Sequence, residues 1–97
     1  MSNRNETLLL VYRCIDELNR LLPSELRLAK SEETVLLGYG GTLDSLGLIS
    51  LIVSLEDAVE QATGHRVVVL EEELLIDPAG PYRSVGQLVN WINTKLN

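Results

Sequence analysis

Ninety-seven residues, 45% of them hydrophobic, fit one small domain with a single core and exclude a chain that is disordered throughout. A net charge of −6 opposes nucleic-acid phosphates and anionic lipid surfaces. The one cysteine, Cys14, excludes an internal disulfide, and no Cys/His cluster has zinc-ligand spacing, which points to a reducing compartment.

At the N-terminus the apolar run Leu8–Tyr12 is broken by Arg13 and is too short for a membrane span or a signal-peptide core, so a cytoplasmic location is expected. From Thr7 to Leu22, Leu8, Val11, Tyr12, Ile15, Leu18, Leu21 and Leu22 recur at three- and four-residue spacing, which predicts an amphipathic helix. Cys14 lies near the boundary of its apolar stripe and reads as a small semi-buried hydrophobe. Pro23 ends the helix because its ring removes an N–H donor. Pro23 to Asp44 shows no sustained period, and a connection of that length is usually functional. Leu26, Leu28, Val35, Leu36 and Leu37 are available to anchor it.

The turn-prone stretch Gly38-Tyr39-Gly40-Gly41-Thr42 leads into Leu43-Asp44-Ser45-Leu46 and then a helix-periodic run from Leu48 to Ala62. Asp and Ser both cap helix starts, so Ser45 is expected to lie exposed at a helix N-terminus. Free N–H donors and the partial positive charge of such an end favour a phosphate on the serine oxygen, so the position suits a phosphodiester better than catalysis. At 100° per residue, Leu48, Leu51, Ile52, Leu55, Val59 and Ala62 form a core face, with Ser50, Ser54, Asp57 and Gln61 opposite it in solvent. Between them runs a strip of Leu46, Ile49 and Val53 followed by Glu56 and Glu60. Apolar groups beside acids on one flank suggest a partner surface. Residues 44–97 hold eight acids and three bases, so this half carries −5 of the charge and would steer basic protein surfaces toward it.

Gly64 reads as the C-terminal cap of this helix, and His65 after it as a loop or helix-end histidine. Val67-Val68-Val69-Leu70 reads as an extended segment closing the core, and Glu71–Ile76 as a short helix before Pro78, with Glu71-Glu72-Glu73 a solvated face. Nothing in the sequence places Tyr82 or Arg83 in a site. Ser84 to Leu96 reads as a closing helix, with Ser84 and Gln87 spaced as a capping box and Val85, Leu88, Val89, Ile92 and Leu96 on one face. The fold expected is all-α: one domain over residues 1–97, a small four-helix bundle with three longer helices, a short third one and a long loop after the first.

A long first helix, a long loop, Asp44-Ser45-Leu46 opening a second helix, a short third helix and a closing fourth resemble an acyl carrier protein over nearly the whole chain. The resemblance implies that a phosphopantetheinyl transferase moves 4′-phosphopantetheine from coenzyme A onto Ser45, with Asp44 and Leu46 as the flanking motif positions. The thiol of the arm would hold acyl groups as thioesters and deliver them to enzymes of fatty-acid, lipid or polyketide-type synthesis, the protein itself performing no catalysis and binding no metal. Partners would present basic docking surfaces to a monomer through Ile49, Val53, Glu56, Asp57 and Glu60. A peptidyl or aminoacyl carrier, which shares the serine chemistry, and an unmodified helical adaptor for a basic partner stay open.

Such carriers often bear acids two and five residues after the serine, where this chain has Gly47 and Ser50. That departure implies a carrier specialised for a dedicated pathway. Between transfers an aliphatic chain would slip between the helices, with Leu48, Ile52, Leu55 and Val69 expected to line the space, each buried methylene being worth about 0.8 kcal/mol.

Overall fold

The computed structural model describes residues 3–37, 41, 43–77 and 79–96, and the described residues form three α-helices without a strand: α1 (Arg4–Asn19), α2 (Ser45–Thr63) and α3 (Val85–Leu96). Single 3-10 turns at Ser24–Leu26 and Glu72–Leu74 interrupt the two connections. The short helix expected over Glu71–Ile76 is therefore one 3-10 turn, and the expected fourth helix is α3. Too few residues lie between Glu71 and Pro78 for a helical nucleus to propagate.

The helix ends follow from side-chain chemistry. Asn3 caps α1 by accepting the Glu6 N–H at 2.9 Å. At the other end Asn19 turns away from the helix to bond Leu28 twice, donating to its carbonyl at 2.9 Å and accepting its N–H at 2.8 Å. Arg27 Nε donates to the freed carbonyls of Asn19 and Leu22. The helix thus stops short of the predicted Leu22, and Leu21 lies beyond its end with 83% of its surface in water. Gly64 closes α2 with a φ of 76°, a left-handed conformation that costs a residue without a β-carbon little. Ala62, predicted in the core, is exposed in this final turn.

Val11, Ile15, Leu48, Leu51, Ile52, Leu55, Val59, Val85, Leu88, Val89 and Ile92 are buried in one continuous core together with Leu28, Leu36, Val67, Val69 and Tyr82. Aliphatic side chains dominate it, as the absence of Phe requires. Helix α1 packs on both α2 and α3, and residues of all three helices meet in the one core. The extended strap Val67–Leu70 is hydrogen-bonded to Glu56 of α2 and to Tyr82 and Trp91, with Val67 and Val69 inward and Val68 outward. Its alternation is that of a chain whose period is two.

The long first connection is fastened to the start of α3. Leu36 N–H donates to Arg83 O at 2.8 Å, and the first two amides of α3, those of Val85 and Gly86, donate to Thr34 O and Glu32 O at 3.0 and 2.9 Å. These amides have no partner inside their own helix, so the loop carbonyls satisfy them. Ser84 and Gln87 add the predicted cap. Leu28 and Leu36 are the loop's buried anchors, Val35 and Leu37 are half-buried, and Leu26 points outward, 41% exposed. A radius of gyration of 12.3 Å matches the value near 13 Å typical of one packed domain of about 100 residues.

Candidate functional site

Asp44 is the N-cap of α2 and Ser45 its first residue. The Asp44 carboxylate accepts the Gly47 N–H at 2.7 Å, and its carbonyl accepts the Leu48 N–H at 3.0 Å. Ser45 and Leu46 are exposed, and their own backbone amides belong to the set that a helix leaves unpaired at its start. A phosphate on Ser45 Oγ would sit where those donors and the helix dipole favour negative charge. The preceding Gly38, Tyr39, Gly40 and Thr42 lie outside the described residues.

Gly47, where an acid was the family expectation, is closely approached: a β-carbon there would stand 3.2 Å from Asp44 Oδ1 and 3.2 Å from Leu43 Cδ2. Any side chain there would require the Asp44 carboxylate or the Leu43 side chain to shift by a few tenths of an ångström. Ser50 faces water, so its lack of charge has no comparable steric cause.

Leu46 is 73% exposed and Val53 46%, with Ile49 half-buried between them. Val68, on the strap that follows α2, is also exposed, at 66%. The predicted acids behave differently from one another. Glu56 is not a free charge: its Oε2 accepts the Val69 N–H at 2.8 Å and the Leu70 N–H at 3.2 Å. Glu60 and Asp57 share Arg66, whose Nη1 lies 3.5 Å from Asp57 Oδ1 and closer still to Glu60 Oε2. The hydrogen bond to Glu60 raises the Arg66 pKa above its ordinary value. The flank of Ser45 is therefore more apolar and less acidic than its sequence suggests.

Leu48, Ile52, Leu55 and Val69 are fully buried in the shared core. They are packed there, and none of them lines the groove of about 580 Å³ beside α3, whose walls include Leu74, Gly80, Pro81, Gln87 and Trp91. A second, polar cleft between α1 and α2 has Cys14 at its floor with Arg13, Glu17 and Asp57 around it. Burial pushes the Cys14 thiol up to about 11, away from the thiolate that would be nucleophilic. His65 lies beyond the far end of α2, whose Ser45-to-Thr63 span is roughly 27 Å at 1.5 Å per helical residue, out of reach of the serine hydroxyl.

Two residues without a sequence signal prove central to the region. Tyr82 is buried, donates its hydroxyl to Val69 O at 2.6 Å and accepts the Glu71 N–H at 2.8 Å. Trp91 Nε1 donates to the same Val69 carbonyl at 2.9 Å. An aromatic residue with a polar tip, placed just before or within a helix next to an unpaired extended segment, is the cue that could have found them. Comparison with protein-family models, with curated proteins and with solved structures gives no match.

Proposed function

We propose that this chain is a carrier domain that bears 4′-phosphopantetheine on Ser45 and holds acyl groups as thioesters on the arm. The observation that carries the reading is the exposed Ser45 in the first turn of α2, behind an Asp44 cap and ahead of an apolar flank. The hydroxyl is open to a transferase, and the helix start offers donors and a favourable field for the resulting phosphodiester. Among the described residues, no His, Asp, Glu or Lys side chain is hydrogen-bonded to the Ser45 hydroxyl, which suits an attachment point rather than a nucleophile acting in turnover. On this reading the Glu72–Leu74 turn stands in place of the family's short third helix, and the protein contributes position rather than chemistry.

A tethered thioester is held at high effective concentration beside any docked enzyme, so weak docking suffices for transfer and allows release afterwards. Leu46, Ile49 and Val53 supply an apolar docking strip, while Asp57 and Glu60 are already engaged by Arg66. The enzymes served are accordingly those of a dedicated acyl pathway, in the cytoplasm, rather than ones that rely on a strongly acidic α2.

Incubating the unmodified chain with coenzyme A, magnesium and a promiscuous phosphopantetheinyl transferase, then measuring intact mass, tests the proposal. The expected result is the addition of one phosphopantetheine, absent in Ser45→Ala. No mass gain where a control carrier is loaded would overturn it.

A further inference from the structure

The groove of about 580 Å³ beside α3 is built from two stretches of chain that lie outside α2. One wall is a face of α3: Gln87, Asn90, Trp91 and Thr94 line the groove at the spacing that puts residues on one side of a helix. The other wall is the connection before α3, which contributes apolar groups at Leu74 and Pro81 and carboxylates at Glu71 and Asp77. From Glu71 to Asp77 the chain holds four acids and no base. Among the described residues, Glu71 alone of the four has an ion-pair partner, Lys95, 3.5 Å from its Oε1. The Lys95 ammonium also lies 4.4 Å from the Trp91 ring centroid, so a cation of the chain itself already rests by an indole and a carboxylate of this groove. Asp77 is exposed and uses one oxygen to accept the Ala79 N–H at 2.9 Å. Gln87 and Asn90 accept from Ser84 and Arg4 through their side-chain oxygens. Their amide NH2 groups have no partner among the described residues.

We propose that this groove is a docking site for an extended segment of a partner protein that presents an arginine between apolar side chains. Charge selects the cation: Asp77 carries a carboxylate that no base of the described chain neutralises, and Glu72 and Glu73 are exposed on the turn just before it. A guanidinium fits better than an ammonium, because its planar fork meets a carboxylate through two parallel bonds and stacks on an aromatic face. The bond to Ala79 leaves lone pairs on Asp77 for that fork. Apolar neighbours of the arginine cover Leu74 and Pro81, and Ile76, 86% exposed beside Asp77, adds to the surface they meet. The free amides of Gln87 and Asn90 donate to carbonyls of the segment, which an extended chain offers and a helix keeps for its own bonds. Lys95 is then a resident competitor, since an arginine that reaches Glu71 and the Trp91 ring must displace it. No residue of the groove belongs to α2, so the proposal holds whether or not Ser45 is modified.

Trp91 is the single tryptophan of the chain, so its emission reports occupancy of the groove. The test titrates the full-length unmodified chain with a library of terminally blocked pentapeptides, arginine fixed at the centre and alanine, leucine, valine or glycine elsewhere. A matched library carries citrulline at the centre, which keeps the shape and loses the charge. The arginine library should shift the Trp91 emission and the amide resonances of Leu74, Asp77, Gly80, Gln87, Asn90 and Thr94, and the citrulline library should bind several-fold more weakly. Asp77→Asn should weaken the arginine library several-fold, whereas Glu17→Gln, which removes the same charge from the cleft between α1 and α2, should not. Lys95→Gln should tighten binding several-fold by vacating Glu71 and the indole. Equal binding of the two libraries, or equal loss in Asp77→Asn and Glu17→Gln, would reduce the effect to net acidity and overturn the site. Resonances that move at Leu46, Ile49 and Val53 instead of the groove would overturn it too, as would no binding at millimolar peptide. Nα-acetylarginine amide binding as tightly as the library would assign the groove to a small guanidinium compound and overturn the protein partner. The comparison of libraries uses the native chain and is readable even if a variant fails to fold. Failure to load Ser45 with phosphopantetheine would leave every one of these outcomes as it stands.

Discussion

Asp44 has two separable properties, an acceptor for the Gly47 amide and a negative charge beside the serine. Asp44→Ala loses both and should destabilise the chain by about 1 kcal/mol, the usual worth of an N-cap. Asp44→Asn keeps the acceptor, so urea denaturation should return it to near-native stability. Any loss of phosphopantetheine loading that persists in Asp44→Asn then belongs to the charge, through contacts with the transferase or its metal. The cap was legible in the sequence because it is a local bond over three residues. The state of Glu56 was not, because its partners lie 13 and 14 residues away and nothing in the spacing of α2 announces them.

At the scale of elements, Arg66 sets the character of the α2 flank from outside α2. Arg66→Ala should leave the urea midpoint near native, since exposed ion pairs contribute little. It should nevertheless release Asp57 and Glu60, so that association with a basic partner, such as a transferase, becomes faster at low salt and more sensitive to added salt. Unchanged salt dependence of the loading rate would show that these acids do not meet the partner. The cores of α2 and α3 could be read from periodicity, because Leu48, Leu51, Ile52, Leu55, Val85, Leu88 and Ile92 each repeat on one face. Periodicity misled at the ends. Leu21 and Leu22 continue the spacing of α1 in sequence, yet Asn19 and Arg27 terminate the helix by bonding the returning loop. The acids of Glu71–Glu73 resemble a helical start, and only a 3-10 turn follows.

For the molecule as a whole, two buried acids of high pKa govern behaviour in base. Burial raises the Cys14 pKa from 9.0 to about 11 and lifts the Tyr82 phenol above its ordinary value of 10.0. Below about pH 9 the Cys14 thiol is protonated in both folded and unfolded chains, and its contribution is complete. As pH rises toward about 11, the unfolded chain loses the proton first and stability falls. Tyr82 extends the loss to higher pH. The urea midpoint should therefore drop across this alkaline range, and Cys14→Ala should flatten the first part of the decline. The all-helical class and single core were legible from composition and pattern, because they depend on many residues agreeing. The arrangement of α1 between its two partners was not, since it depends on pairs such as Thr7 with Asn93 and Arg4 with Asn90, each 86 residues apart. That arrangement governs the order of events during synthesis. Ser45 leaves the ribosome some forty residues before α3, and α1 waits for α3 to complete the packing on its second face. On the carrier proposal, an enzyme that requires the start of α2 in its fully packed form would meet its target only once α3 has been made.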